Sequence, residues 1–352
     1  MSKYANEKIN SISPYVPGEQ PKEREFIKLN TNENPYYTSD KAVERITAEV
    51  VKKLNRYSDP ENRLLCSAIA DYYSVSDKNV LVTNGSDEAL AFAFFAYGGE
   101  GVCYPDVTYG FYDVIARLYD CKVEHVALND DFTISVKDYL EKKKTVVIAN
   151  PNAQTGIELP LADIEQILKN NRENVVIIDQ AYADFGENNA IELINKYDNL
   201  LVINTFSKSR SLAGARVGYA IASEGIIEDL KKVKNSFHPY NVNSLSAILA
   251  AQAIGDDEYF KQSVERIKLS RSKLIADLQK LEFTVLPSSA NFVLAKSKCV
   301  KGEDLYLKLK DKGVLVRHFN EKRIDDYVRI TVGTDGEMQA LTAVIKEILK
   351  GA

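Results

Sequence analysis

Long apolar runs are missing from this chain. Its hydrophobic stretches, such as Thr145–Ala149 and Val175–Ile178, fall far short of the about twenty residues that cross a bilayer. No Lys/Arg block stands alone as a nucleic-acid footprint, and Lys142–Lys144 beside Glu141 reads as a solvated helix end. Residues Met1 to Asn10 are polar and mixed in charge, with no apolar signal core, so a cytoplasmic protein is expected. Cysteine is scarce: Cys66, Cys103, Cys121 and Cys299 lie far apart, form no C-x-x-C pair, and read as buried reduced thiols. His125, His238 and His318 are too few and too dispersed for a histidine metal cluster. A G-x-G-x-x-G fingerprint is also absent, and Gly98-Gly99-Glu100-Gly101 does not supply one, which removes the main support for a nicotinamide-binding enzyme.

What remains is enough to bury a large core. At 352 residues and 45% hydrophobic, one large and one smaller domain is the default expectation, and the formal charge of -5 comes from acidic and basic residues mixed along the whole length. The first forty residues are rich in turn formers (Pro14, Pro17, Gly18, Pro21, Pro35) and read as an arm lying over something else. From Asp40, helix-like stretches alternate with short β-branched runs. Val43 to Leu54 has helical spacing, and Asn79–Thr83, Gly101–Tyr104, Thr145–Asn150, Asn174–Asp179, Asn199–Thr205 and Arg216–Ile221 are predicted strands. That alternation predicts an α/β fold with a mostly parallel sheet covered on both faces. After Asn235 the pattern changes to a long helical stretch, Leu245 to Leu281, broken near Gly255. Strand candidates Phe283–Leu286, Asn291–Ala295 and Tyr327–Thr331 follow, as in a smaller α+β domain. The expected division is an arm over 1–40, a large domain over 41–240, and an interdomain helix with a small domain over 241–352.

Four polar motifs fall at the C-terminal ends of predicted parallel strands, the edge where open α/β sheets bind ligands. In Thr205-Phe206-Ser207-Lys208-Ser209-Arg210, continuing to Arg216, a strand runs into hydroxyls, a lysine, a small-residue turn and an arginine. A lone loop lysine is usually solvated. A carbonyl cofactor, however, needs a lysine held as the free amine, and a phosphate needs hydroxyl donors with an arginine fork; Ser207, Lys208 and Arg216 supply these together. Val176-Ile177-Ile178-Asp179-Gln180-Ala181-Tyr182 puts a carboxylate at another strand end. Alone, Asp179 would be read as a helix cap; beside such a lysine, it suits a pyridine nitrogen that must stay protonated, with Tyr182 donating to the ring oxygen. Asn150-Pro151-Asn152-Ala153-Gln154-Thr155-Gly156 is a turn by composition, and an asparagine there also suits that ring oxygen; both readings stand. In Thr83-Asn84-Gly85-Ser86-Asp87-Glu88, a strand ends and a helix begins, which is either ordinary capping or a phosphate site.

With these motifs in this order, the chain resembles the histidinol-phosphate aminotransferases, pyridoxal-phosphate (PLP) enzymes of fold type I. The likeness extends to Ser13-Pro14-Tyr15-Val16-Pro17-Gly18, to Lys28-Leu29-Asn30-Thr31-Asn32-Glu33-Asn34-Pro35-Tyr36, and to Arg56-Tyr57-Ser58-Asp59-Pro60, Thr108-Tyr109-Gly110 and Val328-Arg329-Ile330-Thr331-Val332-Gly333. The resemblance implies an aspartate-aminotransferase-like fold, with a mostly parallel sheet of the seven-stranded type in a large PLP domain. It implies that Lys208 carries PLP and acts as general base, that Asp179, Tyr182 and Asn152 bind the ring, and that Tyr109 stacks on it. Ser86, Asp87, Thr205, Ser207 and Arg216 would surround the phosphate, with Tyr57 reaching it from the other subunit of a homodimer. Tyr15, Asn32, Arg317 and Arg329 would meet the substrate. The implied reaction takes histidinol phosphate as amino donor and 2-oxoglutarate as the 2-oxo acid, with Arg329 and Arg317 receiving both anionic ends in turn. Rivals are a threonine-phosphate-type decarboxylase, an aromatic-amino-acid aminotransferase, and a PLP-fold regulatory module without turnover, which should carry a DNA-binding domain. Two departures stand out: family members usually have Asn-Asn-Pro-Thr-Gly at 152–156 and Asp-Glu-Ala-Tyr at 179–182. This chain has Asn-Ala-Gln-Thr-Gly and Asp-Gln-Ala-Tyr, leaving the implied cofactor positions unchanged.

Overall fold

A computed structural model describes residues 2–351. Among the described residues thirteen strands run in chain order: β1 (Ile27–Lys28), β2 (Val80–Thr83), β3 (Val102–Pro105), β4 (Val123–Val126), β5 (Thr145–Ala149), β6 (Val176–Asp179), β7 (Leu200–Thr205), β8 (Gly218–Ala222), β9 (Phe283–Val285), β10 (Phe292–Ser297), β11 (Val314–Leu315), β12 (Arg317–His318) and β13 (Val328–Thr331). Seven of them form one sheet in the order β2-β8-β7-β6-β5-β3-β4, in which only β8 runs antiparallel to its neighbours. The fold is α/β with a mostly parallel sheet. Strand residues alternate between two apolar cores: Ile177, Leu201, Ile203 and Ala220 face one, while Val176, Ile178, Leu200, Val202 and Ile221 face the other. Helices cover both faces, which is why these strands read as nearly continuous apolar runs.

Six of the seven strands coincide with predicted runs to within a residue or two. The seventh, β4, is a half-exposed edge carrying Glu124 and His125, so it shows no buried run. Glu124 also corrects the reading of Lys142–Lys144: these residues end no helix, and Lys142 and Lys144 pair with Glu124 at 2.5 and 2.7 Å. The helix expected over Val43 to Leu54 is divided into Asp40–Val43 and Ala48–Lys52, because Thr47 caps the second piece through the Val50 amide. The break near Gly255 is real, with helices Ser244–Gly255 and Asp257–Lys280 on either side. All four cysteines are free; Cys66 and Cys103 are buried as expected, but Cys121 is half-buried and Cys299 exposed.

A four-stranded antiparallel sheet, β12-β13-β10-β9, follows in the C-terminal part. The arm docks there: β1 pairs in parallel with β11, and Arg24 donates to the Lys310 and Asp311 carbonyls at 2.7 and 2.6 Å. From this anchor, residues 15–18 and 30–32 reach the C-terminal edge of the large sheet, where they wall a cavity.

Candidate active site

The cavity, about 350 Å³, opens at the ends of β2, β5, β6 and β7. At its floor, Asp179 ends β6 and is 5% exposed. Its Oδ1 accepts from the Ala181 amide at 3.1 Å and its Oδ2 from the Tyr112 hydroxyl at 2.8 Å. Burial outweighs these bonds and pushes the carboxyl up to about 6, with nearby Asp87 adding to the rise and Lys208 opposing it. Lys208 follows β7; its Nζ donates to the Thr31 carbonyl at 3.1 Å and lies 5.6 Å from the centre of the Tyr182 ring.

One end of the cavity is built for an anion. The helix Ser86–Tyr97 begins there with free backbone amides, and Ser207, Thr205 and Arg216 stand around it. The Thr205 hydroxyl lies 3.0 Å from Ser207 Oγ, and the Ser207 amide donates back to Thr205 Oγ1 at 3.1 Å. Because β8 is antiparallel, its first residues come to the same edge as the ends of β2 and β7, and this brings Arg216 to the helix start. The approach requires glycine. A side chain on Gly218 would run into the Gly85 and Ser86 backbone, and one on Gly85, at φ +78, would lie 2.6 Å from Arg216 Nη2. Asp87 joins the two sides, accepting from Tyr109 at 3.0 Å and pairing with Arg216 at 3.5 Å. Burial, reinforced by Asp87, holds the Tyr109 phenol well above its ordinary value, so it remains a neutral donor.

The opposite end is formed by the arm and the small sheet. Arg317, on β12, donates to the Val16 and Pro17 carbonyls at 3.2 and 3.4 Å. Arg329, on β13, donates through Nη1 to the Ala153 carbonyl at 2.9 Å. Tyr15 meets Tyr109 and Phe111 edge-on, with ring centres 6.0 and 5.8 Å apart.

The residue ranges and relatives of this chain agree with that architecture. Residues 24–345 match the model of the family described as aminotransferase class I and II. The chain belongs to this family. The histidinol-phosphate aminotransferase of Marinomonas sp. (strain MWYL1) is 48% identical, over 99% of this chain and 100% of that one, and that of Brachyspira hyodysenteriae is 46% identical with the same coverage. Among solved structures, the Sinorhizobium meliloti histidinol-phosphate aminotransferase in complex with pyridoxal-5'-phosphate superposes with a TM-score of 0.89, at 22% identity, covering 100% of this chain and 99% of that one. The L-threonine-O-3-phosphate decarboxylase of Porphyromonas gingivalis gives 0.78 at 23% identity, covering 92% of this chain and 99% of that one. At these identities the likeness speaks for the fold, which both reactions share.

Within this aminotransferase cavity stand all but two of the residues singled out from the sequence. Lys208, Asp179, Tyr182, Tyr109, Ser86, Asp87, Thr205, Ser207, Arg216, Tyr15, Asn32, Arg317 and Arg329 line it. Asn152 does not. Its Nδ2 donates to the Val107 carbonyl at 2.9 Å and its Oδ1 accepts from the Gln154 and Thr155 amides, so the side chain organises its own turn, one of the two readings that its motif allowed. Tyr57 is 84% exposed and stacks on Tyr240 at 4.6 Å, outside the cavity of its own chain. Asn32 reaches the cavity as a brace: its Nδ2 donates to the Tyr182 hydroxyl at 3.0 Å, and its Oδ1 accepts from Thr331 at 3.1 Å.

Sequence reasoning passed over Tyr112, Phe319 and Glu321. Tyr112 lies three residues after Tyr109, one helical turn on, a spacing that could have drawn attention to it. Phe319 and Glu321 follow Arg317 at alternate positions and line the cavity beside it. Gln154 entered only as a departure in a turn, yet it lines the cavity.

Proposed function

We propose that this chain is a PLP-dependent transaminase that moves the amino group of histidinol phosphate to 2-oxoglutarate, giving imidazole acetol phosphate and glutamate. The observation that carries the cofactor is Asp179: a carboxylate buried at the cavity floor, raised to about 6, and facing no cation at hydrogen-bond distance among the described residues. A protonated ring nitrogen is the partner that would offset this burial. The helix start at Ser86, with Ser207, Thr205 and Arg216, fits the phosphate; the glycine cradle at Gly85 and Gly218 leaves the room for it. The substrate assignment is supported by relatives of that name along nearly the whole chain.

When bound, PLP supplies a carbonyl that captures the amino group and a cationic ring that stores the electrons released at the substrate Cα. Lys208 would anchor it and, once free, take the proton from Cα and return it on the other side of the exchange. Asp179 would hold the proton on the ring nitrogen, Tyr109 would cover the ring, and Tyr182, braced by Asn32, would direct its hydroxyl to the ring oxygen. Arg329 and Arg317 would receive the substrate phosphate and then the 2-oxo acid carboxylate. The arm (1–40), large domain (41–240) and small domain (241–352) would be the working divisions. The working unit would be a cytoplasmic homodimer in which the partner subunit's Tyr57 completes the phosphate site.

The test offers histidinol phosphate, phenylalanine and threonine phosphate, each with 2-oxoglutarate, and follows glutamate and carbon dioxide. Glutamate from histidinol phosphate, abolished in Lys208→Ala, is the expected result. Carbon dioxide from threonine phosphate, or glutamate from phenylalanine alone, would overturn the reading.

A further inference from the structure

The Arg329 end of the cavity holds an amide that the reaction above leaves without a role. Gln154 is 4% exposed and lines the cavity from within the turn that Asn152 organises. Its Oε1 accepts from Arg329 Nη1 at 3.0 Å, and its backbone amide is held by Asn152 Oδ1 at 2.9 Å. The guanidinium itself lies 5.2 Å from the ring centres of both Phe292 and Phe319, and Gln154 adds a directional contact to a cation flanked by two rings. The other end of the amide is uncommitted. Gln154 Nε2 donates to no protein group among the described residues, and it is not sealed off from the cavity. Two spare N–H donors on a side chain this deeply buried leave an unmet demand for an acceptor, next to a guanidinium that attracts anions.

We propose that Gln154 is a specificity-determining residue for the anionic ends of the substrates. Its Oε1 fixes the Arg329 guanidinium, and its Nε2 donates to an oxygen of the phosphate or carboxylate seated there. This rests on the transaminase reading and gives its anion site a second donor, neutral and directional, beside the arginine. The family's usual proline at this position has no donor to offer.

Gln154→Met keeps the length of the side chain and removes both polar atoms. Cofactor-loaded wild type and variant are titrated calorimetrically with glutarate and with inorganic phosphate, and KM and kcat are measured for histidinol phosphate and 2-oxoglutarate. Loss of a hydrogen bond to a charged oxygen should weaken both probes about tenfold and raise both KM values about tenfold, with kcat changed less than about threefold. Gln154→Glu preserves the shape and the contact with Arg329 but faces the anion with a negative charge, and should weaken both probes more than Met does. It also serves if the Met variant misfolds. A shift in unfolding midpoint with affinities within about twofold of wild type would overturn the proposal. If wild type binds glutarate, loses it in the variants, and yet transfers no amino group from histidinol phosphate, the substrate reading fails and the Gln154 assignment holds. Turnover with unmoved affinities sinks the assignment alone.

Discussion

Asp179→Asn separates the cost of burying a carboxylate from its use. A carboxyl raised from an ordinary value near 4 to about 6 binds its proton more tightly in the folded chain than in the unfolded one. The stability this confers is therefore complete below pH 4 and lost as pH climbs through 6. The full span is worth about 3 kcal/mol, of which about 1.4 kcal/mol falls between pH 5 and 8. Asparagine has no such titration. It does give up one of the two acceptors that serve Ala181 and Tyr112, a penalty of about 1–3 kcal/mol that is the same at every pH. Urea unfolding of the cofactor-free proteins should therefore show the variant gaining on wild type by about 1.4 kcal/mol from pH 5 to 8, whatever the offset at pH 5. Circular dichroism is the suitable probe, since the chain has no tryptophan. With cofactor bound, the carboxylate has a cation to face, and wild type should become the more stable protein at pH 8 and retain cofactor better through dialysis. A difference between the cofactor-free proteins that stays flat from pH 5 to 8 would refute the reasoning, because the floor of the cavity would then be solvated.

Tyr112→Phe should move the same window upward, since it removes a bond that holds the Asp179 carboxyl down; the midpoint of the pH-dependent stability difference reads the shift. Gly85→Ala should weaken cofactor retention at least about tenfold and cost about 1–2 kcal/mol in unfolding, because the added methyl meets Arg216 in a backbone conformation that alanine resists. Equilibrium dialysis against PLP would measure the first effect; retention equal to wild type would mean that Arg216 does not serve the phosphate. Mixing Lys208→Ala with Tyr57→Phe chains at limiting cofactor should restore part of the activity that each lacks, since a mixed dimer has one site free of both changes. No recovery despite verified exchange would place Tyr57 outside the neighbouring site.

The sheet was legible because its strands are buried on both faces, and a doubly buried strand such as Val176–Asp179 announces itself as an apolar run ending in polar residues. Where burial is one-sided or a strand only two residues long, as at Glu124–His125 or Ile27–Lys28, no period forms to be read. Lys208, Asp179 and Arg216 were singled out by the chemistry expected at strand ends, and the fold brings all three to one cavity. Asn152 stayed open for a related reason: the same amide that suits a ligand also suits its own turn, and spacing does not say which way a side chain rotates. Gln154 could not be judged from its neighbours at all, because what gives it meaning is Arg329, on a different sheet.

The pairing of β1 with β11 ties the arm to the C-terminal part, so the cavity is less a bowl than a seam. One lip carries Tyr15, Thr31 and Asn32 with Arg317 and Arg329; the other carries Asp179, Tyr182 and Lys208. Among the hydrogen bonds that stitch them are those from Lys208 to the Thr31 carbonyl, from Asn32 to Tyr182, and from Arg329 to the Ala153 carbonyl. Every one of these uses a residue that the proposed chemistry also claims. Under the proposed function Lys208 would turn from Thr31 to take up its covalent load and give up the first stitch, so that loading the site would also loosen its lips.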